Sequence, residues 1–369
     1  MDPGPCSRDF RSCAESDDAL EDHGSTANSE AVASELVVSM GRMNQMSLYL
    51  VTGGCGFIGS HLVDALIERG SSVRVLDDLS SGNRANLAPA ATLVVGDVRD
   101  PDVVRQALMG VDGCFHLAAI ASVARYETDW RYAHEVNLFG SINIFQQAVS
   151  AAHPIPIVYA SSAAVYGEGR GLPAREDIPV RALNSYGADK AACELHASVI
   201  ARGNSRPVTG LRFFNVYGPR QDPASMYSGV VSIFLRRMLR DEPIEIYGDG
   251  KQTRDFVHVS DVVEYMMRAM ESQSGGIYNV CTGNPTTIVE LGVLLADLCG
   301  REFRARYQPA RPGDIRDSCG DPSLAVAEFG YLPARTLREG LVELISASSS
   351  GRDLTRPRRD LALSDVPRG

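Results

Sequence analysis

Ser162, Tyr186 and Lys190 are the side chains of this sequence that could together hold a hydroxyl group and move its proton. Tyr186 and Lys190 stand four residues apart in Ser185-Tyr186-Gly187-Ala188-Asp189-Lys190, a spacing that puts both on one face of a helix. A free phenol, with a pKa of about 10, is a poor base near pH 7. An ammonium group held beside it favours the phenolate. Such a phenolate can exchange a proton with a substrate hydroxyl, while the lysine also reaches for a cofactor. Taken alone, Tyr-x-x-x-Lys more often describes a solvated tyrosine and a surface lysine. The assignment therefore depends on what the rest of the chain builds around the pair.

A glycine turn begins that surrounding. Ser47 to Thr52 reads as a short apolar strand, followed at once by Gly53-Gly54-Cys55-Gly56-Phe57-Ile58-Gly59 and then a helix from Ser60 to Arg69. Strand, glycine turn and helix in that order form a dinucleotide-binding unit. Gly53 permits the tight turn, Gly56 lets backbone approach a pyrophosphate at the helix N-terminus, and Gly59 allows close helix–strand packing. The second strand, Ser72 to Leu76, ends at Asp77. An acid about 20 residues past such glycines accepts from both ribose hydroxyls and repels a 2′-phosphate, which favours NAD over NADP; turn capping is the simpler alternative for Asp77. Further strands are expected at Thr92–Gly96, before Asp97, and at Gly113–Leu117, before the small Ala118-Ala119. Asp97 is placed to meet the adenine, and the two alanines leave room for the cofactor body.

A long helix over Ala133–Ala151 carries Asn137, and a strand over Pro156–Ala160 delivers Ser161-Ser162. Ligands of open α/β sheets bind at the carboxyl ends of strands, where Ser162 can hold a substrate hydroxyl beside Tyr186. Strand and helix alternate up to a strand at Thr209–Phe214. The expected fold class is therefore α/β, a Rossmann-type doubly wound parallel sheet with a smaller C-terminal α/β substrate-binding domain. Residues 46–215, with part of 256–283 completing the sheet, form the NAD-binding part, and residues 216–346 mainly the substrate-binding part. Residues 1–45 read as a disordered acidic extension and 347–369 as a disordered tail. Met43 and Met46 stand just before the first strand, and either could serve as the native start.

With 44% apolar and 22% charged residues, the composition is that of a globular protein. A formal net charge of −10 argues against binding nucleic acid or anionic membranes nonspecifically. Its eight cysteines show no zinc-ligand spacing, so no metal site is expected, and buried free thiols in a reducing cytoplasm are the simpler reading. No apolar run approaches a membrane span.

Six motifs in order resemble the extended short-chain dehydrogenase/reductase family, in its UDP-galactose 4-epimerase-like branch. They are Thr52–Gly59, His116-Leu117-Ala118-Ala119, Ser161–Gly167, Tyr186–Lys190, Arg212-Phe213-Phe214-Asn215-Val216-Tyr217-Gly218-Pro219 and Arg254–Val259. The resemblance spans about Leu48 to Ile345. It implies tightly bound NAD, a nucleotide-sugar substrate, a homodimer built on the helices following Asn137 and Tyr186, and Ser162, Tyr186 and Lys190 as the catalytic trio. The cofactor would contact Gly53, Gly56, Phe57, Ile58, Gly59, Asp77, Asp97, Val98, Leu117, Ala118, Ala119, Asn137, Tyr186, Lys190 and Phe213. The substrate would meet Ser122, Ser162, Asn215, Arg254 at the phosphates, Tyr247 against uracil, and Arg311 with Asp314 closing the nucleotide pocket.

Dehydratases of this scaffold carry an acid pair just after the serine, and decarboxylases carry a glutamate at its second position. Here Ala163 and Ala164 occupy those places. The resemblance therefore implies 4-epimerisation of UDP-glucose and UDP-galactose through a 4-keto sugar. A gate residue matches Ser318, and a serine there leaves space for the 2-acetamido group of UDP-GlcNAc and UDP-GalNAc. UDP-glucuronate 4-epimerase or another nucleotide-sugar epimerase or reductase is the nearest rival. A non-catalytic NAD-sensing regulator is the reading from a different class, and the retained tyrosine and lysine argue against it.

Overall fold

The computed structural model describes residues 46–121, 126, 128–168, 171–203, 206–221, 229–311 and 314–349. The extension expected over residues 1–45, most of the tail expected over 347–369, and the predicted substrate contact Ser122 lie outside the described residues.

Seven parallel strands make the central sheet: β1 (Leu48–Thr52), β2 (Ser72–Asp77), β3 (Thr92–Val95), β4 (Gly113–His116), β5 (Ile157–Ser162), β6 (Val208–Phe213) and, far along the chain, Gly276–Val280. Their order across the sheet is β3-β2-β1-β4-β5-β6 and then Gly276–Val280. The chain winds outward in one direction from β1 and then restarts at β4 on its other side. That reversal opens a crevice beyond the carboxyl ends of β1 and β4, which is where such sheets bind ligands.

The helices cover both faces because strands buried on both sides need apolar cover on each. On one face, α1 (Phe57–Glu68) packs beside the helix Val259–Ser272. Leu62, Val63, Met266 and Met270 are buried there, each side chain contributing about 1.5–3 kcal/mol by leaving water. On the other face lie α2 (Pro101–Leu108), α3 (Trp130–His134), a π-helical turn at Glu135–Phe139, α4 (Gly140–Val149) and α5 (Ser185–Gly203). Val104, Ile144, Phe145 and Ala197 fill that layer. The single helix expected over Ala133–Ala151 is thus interrupted at Asn137, which the π turn carries.

Beyond β6 the rhythm changes. Strands β7 (Asn215–Tyr217), β9 (Thr253–His258) and β11 (Pro285–Thr287) form a three-stranded sheet, and β8 (Ile244–Tyr247) pairs in parallel with β12 (Ala305–Gln308); Gly276–Val280 is β10. Three helices close on these sheets: α6 (Val230–Leu239), α8 (Ile288–Cys299) and α10 (Leu337–Ser349), the helix Val259–Ser272 being α7 and Ser323–Phe329 α9. Helix α10 runs past the expected start of a disordered tail at residue 347. Leu341 and Leu344 bury its inner face, and Ser348 returns a hydrogen bond to the Leu344 carbonyl at 2.8 Å.

Candidate active site

Glycine geometry shapes the crevice at β1. Gly53 has φ +70°, and a Cβ on it would stand 2.8 Å from the Ala118 amide nitrogen. A Cβ on Gly59 would overlap the Gly53 carbonyl oxygen and come within 2.8 Å of Gly54 Cα. Helix α1 starts at Phe57 from Gly56, whose backbone is extended and supplies no side-chain cap. The first N–H groups of a helix have no partner within it, so this N-terminus offers the donors and the positive dipole end that a diphosphate takes. The cradle fits a dinucleotide.

Asp77, at the end of β2, is 5% exposed and accepts from the Cys55 and Leu79 amides, each at 2.9 Å. Burial raises its pKa against those two bonds. Turn capping is thus an observed role of Asp77, and each carboxylate oxygen keeps a further lone pair for a ribose hydroxyl. Asp97, two residues past β3, is tied down by a neighbouring arginine. One carboxylate oxygen, Oδ2, accepts from Arg99 Nε and Nη2 at 2.9 and 2.7 Å, and Arg99 continues to Glu135 at 3.0 Å. Burial would raise Asp97, but the Arg99 guanidinium holds it below the usual carboxylate range.

Thr52 and His116 finish the crevice wall; both stand in the motifs named above, and neither was assigned a contact there. Thr52 Oγ1 accepts from the Leu117 and Ala118 amides, both at 3.1 Å, and meets His116 Nδ1 at 2.7 Å. His116 Nε2 lies 3.0 Å from Ser141 Oγ, which donates to the Asn137 carbonyl. Asn137 is fully buried and brackets Ile120, accepting from its N–H at 2.7 Å and donating to its carbonyl at 2.9 Å.

The trio is assembled by α5 lying along β5. Lys190 is buried and donates to the Ala160 carbonyl at 2.8 Å, with its Nζ 5.9 Å from the centre of the Tyr186 ring. One turn further, Glu194 accepts from Ser161 and is gripped by Arg212 from β6 at 2.9 and 2.7 Å. Ser161 and Arg212 are direct partners across β5 and β6. Tyr186, Lys190 and Glu194 thus fall at i, i+4 and i+8 on one helix face. At the start of α5, a Cβ on Gly187 would stand 2.6 Å from the Ala164 carbonyl oxygen, so Tyr186 sits tight against the turn that follows Ser162. Ser162 caps that turn, its Oγ accepting from the Ala164 amide at 3.2 Å. Its own proton remains to be donated outward. Phe213 ends β6 beside Ser162, its partner in register.

Register gathers the distal residues. Asn215 pairs with Phe256, two positions from Arg254 on β9, so Asn215 and Arg254 leave the same face of the small sheet. Thr253 bridges Asp317 in parallel, which puts the half-buried Ser318 on the Arg254 side. Asp255, on the opposite face and wholly buried, anchors this segment by accepting from Thr282, Gly283 and Gly320 amides at 2.8, 2.9 and 3.3 Å. Arg311 and Asp314, the residues expected to close the nucleotide pocket, each take a separate partner in this structure. Asp314 pairs with Arg254 at 2.7 Å, while the Arg311 guanidinium stacks 3.8 Å over the Tyr247 ring. The reason is burial: the Arg254 side chain is 14% exposed, which works against its charge, so it takes the nearby carboxylate. Arg311 is exposed and settles on an aromatic face.

Sequence reasoning missed Glu194, Asp189, Tyr126 and His134. Glu194 was legible as the next i+4 position after Lys190. Tyr126 lies in a stretch without periodicity and gave no signal.

A parallel sheet with a glycine cradle at its switch point and a Tyr–Lys pair on the neighbouring helix defines a dinucleotide-dependent enzyme of the α/β class. The model of the NAD dependent epimerase/dehydratase family matches residues 49–281, and the chain belongs to that family. It is similar to a putative UDP-glucose 4-epimerase of Methanocaldococcus jannaschii, 37% identical over 302 residues that cover 81% of this chain and 97% of the relative. Among solved structures it is similar to the Thermus thermophilus UDP-glucose 4-epimerase in complex with NAD, at TM-score 0.77 and 37% identity, covering 82% of this chain and 99% of that one. The Methanobrevibacter ruminantium UDP-N-acetylglucosamine 4-epimerase in complex with UDP-N-acetylmuramic acid superposes with TM-score 0.79 at 34% identity, covering 83% and 99%. The protein is an NAD-dependent isomerase of the extended short-chain dehydrogenase/reductase type. No helix among the described residues is long and apolar enough to cross a membrane.

Proposed function

We propose that this protein is a UDP-sugar 4-epimerase that interconverts UDP-glucose and UDP-galactose and also accepts UDP-GlcNAc and UDP-GalNAc. One observation carries the reading: Ser162 caps a turn whose next two side chains, Ala163 and Ala164, are methyl groups, and the helix that carries Tyr186 and Lys190 packs against that turn. That turn supplies a hydroxyl anchor and a base without the auxiliary acid that dehydration requires. Bound NAD supplies the reversible hydride acceptor. Tyr186 takes the proton of the sugar 4-hydroxyl and returns one as the 4-keto sugar is reduced on its other face. Ser162 donates to the sugar oxygen while Ala164 N–H holds its lone pair. Lys190 supplies positive charge behind the phenol.

Residues 46–215, with β10, would hold NAD. Gly53, Gly56, Phe57, Ile58 and Gly59 would take its diphosphate and Asp77 its adenosine ribose, with Asp97, Val98, Leu117, Ala118, Ala119, Asn137 and Phe213 lining the remainder. Residues 216–346 would mainly hold the nucleotide sugar. Asn215 and Arg254 would face the diphosphate, Tyr247 would stack on uracil once Arg311 moves from its ring to the phosphates, Asp314 would close behind, and Ser318 would leave room for an acetamido group. A cytoplasmic homodimer completes the reading. Six free thiols among the described residues suit a reducing compartment, and Phe139, Leu195 and Val199 expose apolar side chains along the helices expected to pair.

Incubation with UDP-glucose, UDP-GlcNAc and UDP-glucuronate, followed by chromatographic separation of epimers, tests the substrate. We expect epimers from the first two and none from the third. A Tyr186→Phe variant should retain NAD and lose most turnover, and near-normal epimerisation by it would refute the role of the phenol.

A further inference from the structure

Behind Tyr186 runs a hydrogen-bonded chain that the reaction scheme does not use. Tyr126 is 5% exposed, and its ring meets the Tyr186 ring edge-on, with centroids 6.2 Å apart and planes at 70°. The Tyr126 phenol donates to one oxygen of Asp189 at 2.7 Å and accepts from the Asn137 amide at 2.6 Å. The other Asp189 oxygen accepts from His134 Nδ1 at 2.7 Å. Asp189 and Asn137 are buried, whereas the His134 ring is 36% exposed and packs edge-on against Phe139. Asp189 sits one residue before Lys190 on α5, and Asn137 brackets the Ile120 backbone just past the Ala118-Ala119 wall. The chain therefore ties the tyrosine's helix to the loop lining the crevice.

Two phenol rings in contact raise the question of which one can ionise. The Tyr126 oxygen faces a carboxylate, so its loss of a proton would set two buried negative charges against each other. Tyr126 is held neutral, and hydrogen bonds on both sides of its oxygen fix where the far end of the ring sits, so the ring cannot shift sideways without breaking one. Edge-to-face contact passes that rigidity to the Tyr186 ring.

We propose that Tyr126 and Asp189 are positioning residues for the reaction: Asp189, steadied by His134, locks the Tyr126 phenol, and the Tyr126 ring edge holds Tyr186 in the orientation that proton exchange requires. The inference rests on the reading of Tyr186 as the base. Misplacing a reacting group by about 1 Å can cost about 100-fold in rate, which sets the scale of the test.

Steady-state kinetics are measured on the full chain, with whichever of UDP-glucose and UDP-GlcNAc turns over faster, alongside bound NAD and thermal midpoint. Tyr126→Phe keeps the ring edge and loses the lock, and its kcat should fall about 5- to 10-fold; Tyr126→Leu removes the edge, and its kcat should fall about 50-fold or more. KM and bound NAD should stay within about twofold in both, a split that general loss of structure would not produce. Asp189→Asn still accepts from the phenol and should rescue kcat to within about twofold of the parent, whereas Asp189→Ala should match Tyr126→Phe, and the double Tyr126→Phe/Asp189→Ala variant should be no slower than either single one. A Tyr126→Leu enzyme with parental kcat, losses confined to KM or NAD content, or multiplying losses in the double variant would each overturn the proposal. Should Asp189→Ala not fold, the Tyr126 pair decides alone. Tyr186→Phe run in parallel separates the two ideas. If that variant is inactive while both Tyr126 variants are fully active, only the positioning role fails; if it is active, the base assignment fails first.

Discussion

At the scale of single residues, the site is built from side chains that each do two jobs. Ser162 accepts from a backbone amide and keeps a proton for a ligand; Asp77 ties down the loop and keeps lone pairs for a ribose. Such double use explains why a turn-capping residue and a binding residue cannot be told apart by composition. Ser318 allows a sharper distinction. Its neighbour Asp317 bridges Thr253, which faces away from Arg254, so Ser318 itself shares the Arg254 face. A Ser318→Tyr variant should process UDP-glucose at close to the parental rate and UDP-GlcNAc at least about 10-fold more slowly, since a filled pocket rejects the larger group. An unchanged ratio of the two rates would remove Ser318 from substrate choice. Gly59→Ala probes the cradle: with a carbonyl oxygen already where the methyl would go, purified protein should carry much less NAD, read from its absorbance and from mass spectrometry of the released cofactor.

Among the elements, α5 is the ruler of the site. Tyr186, Lys190 and Glu194 are spaced along one face, and each meets a successive part of the strand end and turn formed by Ala160, Ser161 and the Ala163–Tyr166 turn. The buried Glu194–Arg212 pair belongs to a row that continues through Tyr166 to Asn279 on β10, with contacts of 2.8 and 2.7 Å. Every partner in that row is satisfied, which is the condition for a buried ion pair to be tolerated. Glu194→Gln leaves the Arg212 charge without its carboxylate and should cost about 3 kcal/mol or more, measured by urea unfolding; a loss below about 1 kcal/mol would mean the pair is replaceable. The outer side of α5 carries Leu195 and Val199, 69% and 67% exposed. If these helices pair between subunits, Leu195→Asp should shift the sedimentation coefficient from dimer to monomer while leaving the folded content unchanged.

Over the whole molecule, the buried histidines set an acid limit. His116 accepts at Nδ1 and donates at Nε2 within the Thr52–His116–Ser141 chain, an arrangement that only the neutral ring satisfies. Burial, with the Lys190 ammonium adding to it, pushes His116 from 6.5 down to about 3. Burial also lowers His61 and His258. A histidine whose folded pKa is depressed stabilises the fold above its unfolded value and loses that contribution as pH falls. The thermal midpoint should therefore hold above about pH 6.5 and decline progressively toward pH 3. A His116→Gln variant should start lower at pH 7.5 and decline less steeply between pH 6.5 and 5. An equal slope in both proteins would assign the acid sensitivity to other groups.

Sequence alone determined the frame and its chemistry. Strand, glycine turn, helix and a terminal acid declare a dinucleotide cradle because each depends on neighbours a few residues away. Tyr186 and Lys190 share a face because helical spacing is a local rule. Alternating strands and helices admit few topologies, and the doubly wound sheet is the one observed. Tertiary structure decided which charged groups pair. Asp97 went to Arg99, Asp314 to Arg254, and Asp189 to His134 and Tyr126. Ion pairing in a crowded crevice follows relative burial, and burial is a property of the folded surface that no spacing records. The same holds for Tyr126: its place against Tyr186 comes from two segments 60 residues apart meeting across the end of a sheet, and only the folded chain brings them together.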